Sequence, residues 1–173
     1  MLVKPGITWC ASWGRQMTDT TFYFIEETQT DRRAFQPLLL EGDGDSAILA
    51  QYIATGRLFS LRRAADNALC AVALLTNGPD AATVELKNIA VAAELRGQGL
   101  GSMLIRHLQT WAAAHYHKML VGTGDADVQN QLFYLKNGFR YSGVRRDFFA
   151  AYQPPIRSNG LILRDMVLLT AEL

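Results

Sequence analysis

The chain has only two cysteines, Cys10 and Cys70. They stand far apart, with no C-x-x-C pair and no histidines at metal-ligand spacing, so neither a disulfide framework nor a zinc site is expected. Charge of one sign is also missing: Lys and Arg number 17, Asp and Glu 16, and the net charge is +1. Arg62-Arg63 and Arg145-Arg146 are isolated pairs, and no basic block could form a nucleic-acid footprint. Long apolar runs are absent as well. The longest, Ala68 to Leu75, is far too short to span a bilayer, and Lys4-Pro5-Gly6 interrupts the N-terminus before any signal-peptide core can form. These absences exclude membrane and nucleic-acid partners as expectations and leave a soluble, cytoplasmic protein. At 173 residues, 49% of them hydrophobic, the chain can bury one substantial core.

Hydrophobic periodicity suggests the order of elements. Phe22 to Glu26 suits a strand, Ala34 to Leu40 a short helix broken by Gly42 and Gly44, and Ala47 to Thr55 a helix capped by Ser46. Arg57 to Arg63, Ala68 to Thr76 and Thr83 to Val91 suit an antiparallel meander, with Asn77-Gly78-Pro79-Asp80 as the last turn. Leu100, Met103, Leu104, Leu108 and Trp111 then mark the buried face of a helix. Met119 to Val121 arrives by a crossover and should run parallel to Thr83–Val91. A helix over Val128 to Asn137 ends at Gly138, and Phe139 to Phe149 and Leu161 to Leu169 complete the sheet, the second entered through Asn159-Gly160.

The most informative stretch is Arg96-Gly97-Gln98-Gly99-Leu100-Gly101, lying where a strand ends and an amphipathic helix begins. Glycines allow successive backbone N–H groups to turn toward one bound group, and a helix N-terminus offers unpaired amides and a positive dipole end. A pyrophosphate is the implied ligand. Gly101 is followed by Ser102-Met103 rather than Lys-Ser or Lys-Thr, which excludes a P-loop, and the spacing G-x-G-x-G is not the Rossmann G-x-G-x-x-G.

Arg96, Gly99 and Gly101 match the Gln/Arg-x-x-Gly-x-Gly/Ala motif, and with Glu85 to Val91 before it and Tyr134-Leu135-Lys136-Asn137-Gly138-Phe139 after it the chain resembles the GNAT superfamily of acyl-CoA-dependent N-acyltransferases. Gly122 to Asp125, Arg146 to Phe149, Asn159-Gly160 and Arg164 to Met166 are similar to a bacterial branch of it. The resemblance covers roughly residues 20 to 173. Residues 1 to 20 are expected to form an extension of unknown role, and 21 to 173 a single domain.

The resemblance implies a mixed α/β fold with a mostly antiparallel sheet, two splayed parallel strands and flanking helices. It implies acetyl-CoA as cosubstrate and an amine as acceptor, without a metal; a homodimer is compatible with it. In such a fold the pantetheine amides would pair with Ile89, Ala90 and Val91, while Arg96, Gly97, Gln98, Gly99, Leu100, Gly101 and Ser102 hold the pyrophosphate. Glu85 stands where the histone-acetyltransferase branch carries its base, and Tyr134 resembles the tyrosine that protonates departing thiolate in many members. Many relatives have asparagine seven positions before that tyrosine. Here Asp127 stands there, so Asn130 is the expected contact to CoA. Asp147, Phe148, Phe149, Tyr152 and Asp165 should supply aromatic and acidic walls to the acceptor pocket. Two other classes remain open at this stage, an acyl-CoA-binding regulatory module with idle catalytic residues and an assembly protein.

Overall fold

A computed structural model describes residues 21–28 and 31–173. The expected extension over residues 1–20 lies outside the described residues.

Seven strands form the main sheet in the order β1-β2-β3-β4-β5-β9-β6. Strands β1 (Phe22–Glu26), β2 (Arg57–Arg63), β3 (Leu69–Asn77) and β4 (Thr83–Val91) are the expected antiparallel meander. Strand β5 (Lys118–Gly124) joins β4 in parallel, and β9 (Met166–Glu172) and β6 (Arg140–Arg145) follow antiparallel. This is the mixed α/β sheet with a single parallel pair that the sequence implied.

Helices α1 (Gln36–Asp43) and α2 (Ser46–Tyr52) cover one face, where Phe35, Leu39 and Leu49 are buried with Leu58, Val72, Leu74 and Ala90. Helix α3 (Leu100–Ala112) covers the other through Leu100, Leu104, Ile105 and Leu108, packed with Phe59, Leu75, Val84 and Leu86. Each such leucine, fully withdrawn from water, contributes about 1.5–3 kcal/mol. Leu86 and Ala90 are four residues apart on one strand yet belong to opposite cores. The reason is a bulge: Leu75 pairs with Leu86 but Leu74 pairs with Asn88, so Lys87 is an extra residue and the alternation of side chains inverts past it.

Four expectations need correction. Gly42 does not break its helix: α1 continues to Asp43 and ends at Gly44, whose φ of +81° supplies the left-handed turn. Asp45, not Ser46, caps α2, accepting the N–H groups of Ala47 and Ile48. The strand after Phe139 ends at Arg145, and Phe148–Ala151 form a 3-10 turn. Leu161 to Leu169 is not one strand. Asn159-Gly160, both at positive φ, instead form the turn of a two-stranded hairpin, β7 (Arg157–Ser158) with β8 (Leu161–Ile162), and β9 starts afresh at Met166.

Candidate active site

Strands β4 and β5 are in register from Thr83 and Lys118 to Leu86 and Val121, and share no pair beyond. β4 continues to Val91 on its β3 side while β5 continues to Gly124 against β9. The two strands therefore part at the sheet's centre, leaving backbone groups of Lys87–Val91 facing a gap. On the far side of that gap β5 is crowded by its neighbours: a Cβ at Gly122 would lie 2.4 Å from the Met166 sulfur, and one at Gly124 2.6 Å from Leu163.

A cleft of about 850 Å³ occupies this gap. One wall is the glycine loop with the starts of α3 and of α4 (Val128–Lys136). Gly97 and Gly99 have φ of +74° and +84°, and neither has an atom within 4 Å of where a Cβ would stand. The loop thus needs glycine for its backbone turn, and the space beside it is open. Gly99 caps α3 without a side chain, and the Met103 N–H is the first to bond within the helix, to the Gly99 carbonyl. The N–H groups of Leu100, Gly101 and Ser102 have no helical partner, which is the donor set an anion requires. Gly101 serves another purpose, since a Cβ there would come within 3.1 Å of Phe133 in α4. Such a set fits a diphosphate.

Arg96 is tied down at both ends of its guanidinium. Its Nε donates to the Val91 carbonyl at 3.1 Å, and its Nη2 pairs with Glu41 at the end of α1. The loop is thereby tethered across the cleft.

Tyr134 projects into the cleft from α4 although it is only 7% exposed. The local sequence fixes this turn. Phe139 N–H bonds the Tyr134 carbonyl and Gly138 N–H the Leu135 carbonyl, with Gly138 at φ +90° and Phe139 buried against the Tyr134 ring. Burial, with a smaller contribution from the Asp127 charge, pushes the phenol well above its ordinary value and keeps it protonated.

Of the residues singled out from sequence, Ile89, Ala90, Val91, Arg96, Gly97, Gly99, Leu100, Gly101, Ser102, Asn130 and Tyr134 meet at this cleft. Gln98 is not on its wall; its amide donates to the Glu94 carbonyl. Glu85 is not on the wall either. Its side chain is 16% exposed and lies 3.6 Å from the Lys87 ammonium, which does reach the cleft. Asn130 Nδ2 is held by Asp127 Oδ2 at 2.6 Å, and the other Asp127 oxygen faces the Asn130 N–H as the α4 cap. Phe148, Phe149 and Tyr152 form an aromatic wall as anticipated, but Asp147 and Asp165 do not line it. Asp147 pairs with Arg164 at 2.8 Å, and Asp165 accepts the Asp147 N–H.

Sequence reasoning missed the neighbouring corner, built by Asp43, Tyr52 and Asn88. Tyr52 Oη donates to Asp43 Oδ2 at 2.6 Å, and Asn88 Nδ2 donates to Tyr52 Oη at 2.8 Å and to the Leu39 carbonyl at 2.9 Å. Burial raises the Asp43 carboxyl above its ordinary value, partly offset by the Tyr52 hydrogen bond. The same loss of water pushes the Tyr152 phenol up to about 12. No local pattern announces this corner, because Asn88 on β4 meets Tyr52 and the Leu39 carbonyl from 36 and 49 residues away.

Among the described residues no group of three or more His, Cys, Asp or Glu is placed to hold a metal, and no helix is long and apolar enough to cross a membrane.

Known structures share this fold. An IAA acetyltransferase from Bacillus cereus is 31% identical and superposes with a TM-score of 0.78, covering 88% of this chain and 100% of its own. A GNAT family acetyltransferase from Elizabethkingia anophelis, solved with acetyl-CoA bound, is 32% identical at a TM-score of 0.78, covering 90% and 99%. A Bacillus subtilis acetyltransferase in complex with CoA is 29% identical at 0.78, covering 88% and 99%. No curated protein matches this sequence closely enough to count as a relative. The Acetyltransferase (GNAT) family matches residues 15–139. With the parted strands, the glycine loop and the tyrosine helix in the family's order, the chain belongs to the GNAT acetyltransferases.

Proposed function

We propose that the protein transfers an acetyl group from acetyl-CoA to a primary amine by direct attack within a ternary complex, and that residues 21–173 act as one domain in doing so. The observation that carries this reading is the parting of β4 and β5 opposite the unpaired amides of Leu100, Gly101 and Ser102. A diphosphate at the helix start and a pantetheine arm along Ile89–Val91 would bring a thioester to the gap beside Tyr134. The acetyl-CoA and CoA complexes of the Elizabethkingia and Bacillus subtilis proteins support the same choice of cosubstrate.

The chemistry asks three things of the chain. An alkylammonium has a pKa of about 10, so a proton must leave before nitrogen attacks. Glu85 is the proposed base. Its place behind Lys87 favours a path through water over direct contact. The carbonyl oxygen gains charge during attack, and a main-chain N–H of β4, at Ile89, can stabilise it. The carbon–sulfur bond then breaks and the thiolate takes a proton from Tyr134, whose burial keeps that proton available at neutral pH.

The test is release of free CoA thiol from acetyl-CoA by the purified protein across a panel of primary amines. Amine-dependent release is expected. A protein that binds CoA yet turns over no amine would be a binding module, and one that binds no CoA would remove the basis for the whole assignment.

A further inference from the structure

Of the carboxylates on the cleft wall, two are engaged by cations or amides that fix their position. Glu41 pairs with Arg96, and Asp127 caps α4 and holds Asn130. Asp43 differs. Its Oδ2 accepts the Tyr52 hydroxyl, while its Oδ1 is buried without a well-formed hydrogen bond, the Asp45 N–H being the donor near the carboxylate. Asn88, 6% exposed and on the same wall, also has its Oδ1 buried and unpartnered, although both of its amide contacts are well made. The two residues are held close because α1 approaches β4 at a glycine: a Cβ on Gly42 would stand 2.6 Å from Asn88 Oδ1 and 3.1 Å from the Ile89 carbonyl.

Two buried acceptors without a well-formed hydrogen bond are a cost to the free protein, and a ligand group that satisfied both would bring more than one N–H. An ammonium has three donors and no acceptor, whereas a hydroxyl has one donor. The charges nearby suit a cation. Asp43 feels the like charge of Asp45 and one ammonium, Lys87, which lies over the Tyr52 ring and 3.6 Å from Glu85. Asp45 is occupied in capping α2, leaving Asp43 as the carboxylate to be met from the cleft. Beside this corner stand Phe148, Phe149 and Tyr152, an aromatic surface suited to a flat apolar body and, through its ring faces, to a cation.

We propose that Asp43, with Asn88, is the ammonium receptor of the acceptor pocket, and that the acceptor is a small cationic amine with an aromatic body lying on Phe148, Phe149 and Tyr152. This rests on the acetyl-transfer reading above. It assigns the acidic role to the end of α1 rather than to Asp147 and Asp165.

The experiment compares 2-phenylethylamine with 2-phenylethanol, titrated by calorimetry into the CoA-loaded protein. The amine should bind more tightly by about tenfold or more. Asp43→Asn should erase that preference with CoA affinity unchanged, and Asp43→Glu should restore it. Equal binding of amine and alcohol by the wild type overturns the proposal, as does a preference that survives Asp43→Asn. If Asp43→Asn does not fold, Asp43→Ser takes its place under the same expectations. If the wild type binds no CoA, it is the acetyl-transfer reading that fails, and the amine preference is then measured, and still expected, in the free protein.

Discussion

Leu86 lies opposite Val121, and theirs is the last pair shared by the two parallel strands. One residue further along β4 comes the bulge at Lys87, after which the strand turns Ile89 and Val91 toward the α3 face and Asn88 and Ala90 toward α1. Pairing stops and side chains invert at nearly the same point. The two faces of the sheet beside the cleft are consequently served by alternate residues of one short strand.

The two glycines that bound the helix start should respond differently to substitution. Gly99→Ala meets open space, so its cost is the left-handed backbone alone, about 1–2 kcal/mol. Gly101→Val has no such backbone cost and instead drives a side chain into Phe133, expected to destabilise by about 1–3 kcal/mol. Both should weaken CoA binding, the first by reorienting loop amides and the second by separating α3 from α4. Thermal melts with CoA titration check this, and a Gly101→Val protein as stable as wild type would contradict the close approach.

Tyr134→Phe removes one oxygen from a residue whose ring stays buried against Phe139. Turnover should fall by about 10²-fold or more with CoA affinity intact, the scale of a lost general acid. Because burial raises the phenol above its ordinary 10.0, the wild-type pH–rate profile should show no limb from Tyr134 below that value. An alkaline fall in rate near neutrality that vanishes in Tyr134→Phe would refute the assignment.

Glu85→Gln tests a base that is set back from the cleft. The expected result is a kcat lower by about 10²-fold with an unchanged KM, since the residue does not line the pocket. Wild-type turnover in this variant would remove Glu85 from the mechanism.

Most of the fold was legible because its signals are local. The meander follows from alternation and turn residues, α3 from a sustained apolar stripe, and the close of α4 from Gly138-Phe139. The glycine loop was legible for the same reason, its positive-φ positions being written as glycine. What stayed hidden depends on contacts between distant segments. The Lys87 bulge exists only in register with Leu74 and Leu75 of β3, and Asp43 meets Asn88 through Tyr52 across the α1–β4 contact. Asp147 and Asp165 misled because acidity near aromatic residues says nothing of direction, and both turn to loop contacts.

Asp43 also predicts a pH dependence of stability whose sign can be worked out. Burial raises its carboxyl in the folded protein above the value of 3.8 expected unfolded, so between those two values the folded state binds more protons than the unfolded one. Stability from this group therefore falls as pH rises through that window and stays at its lower level above it. Asp43→Asn removes the buried charge while leaving an oxygen to accept the Tyr52 hydroxyl. The variant should gain on the wild type as pH is raised from about 3 to 7, with the difference in melting temperature largest at the upper end. Subtracting the two proteins cancels groups elsewhere, leaving Asp45 and Lys87 as the charged neighbours to consider. A gap that is flat across that range, or widest in acid, would mean that Asp43 is not the strained carboxylate its surroundings make it, and the ammonium corner would lose its reason to recruit a cation.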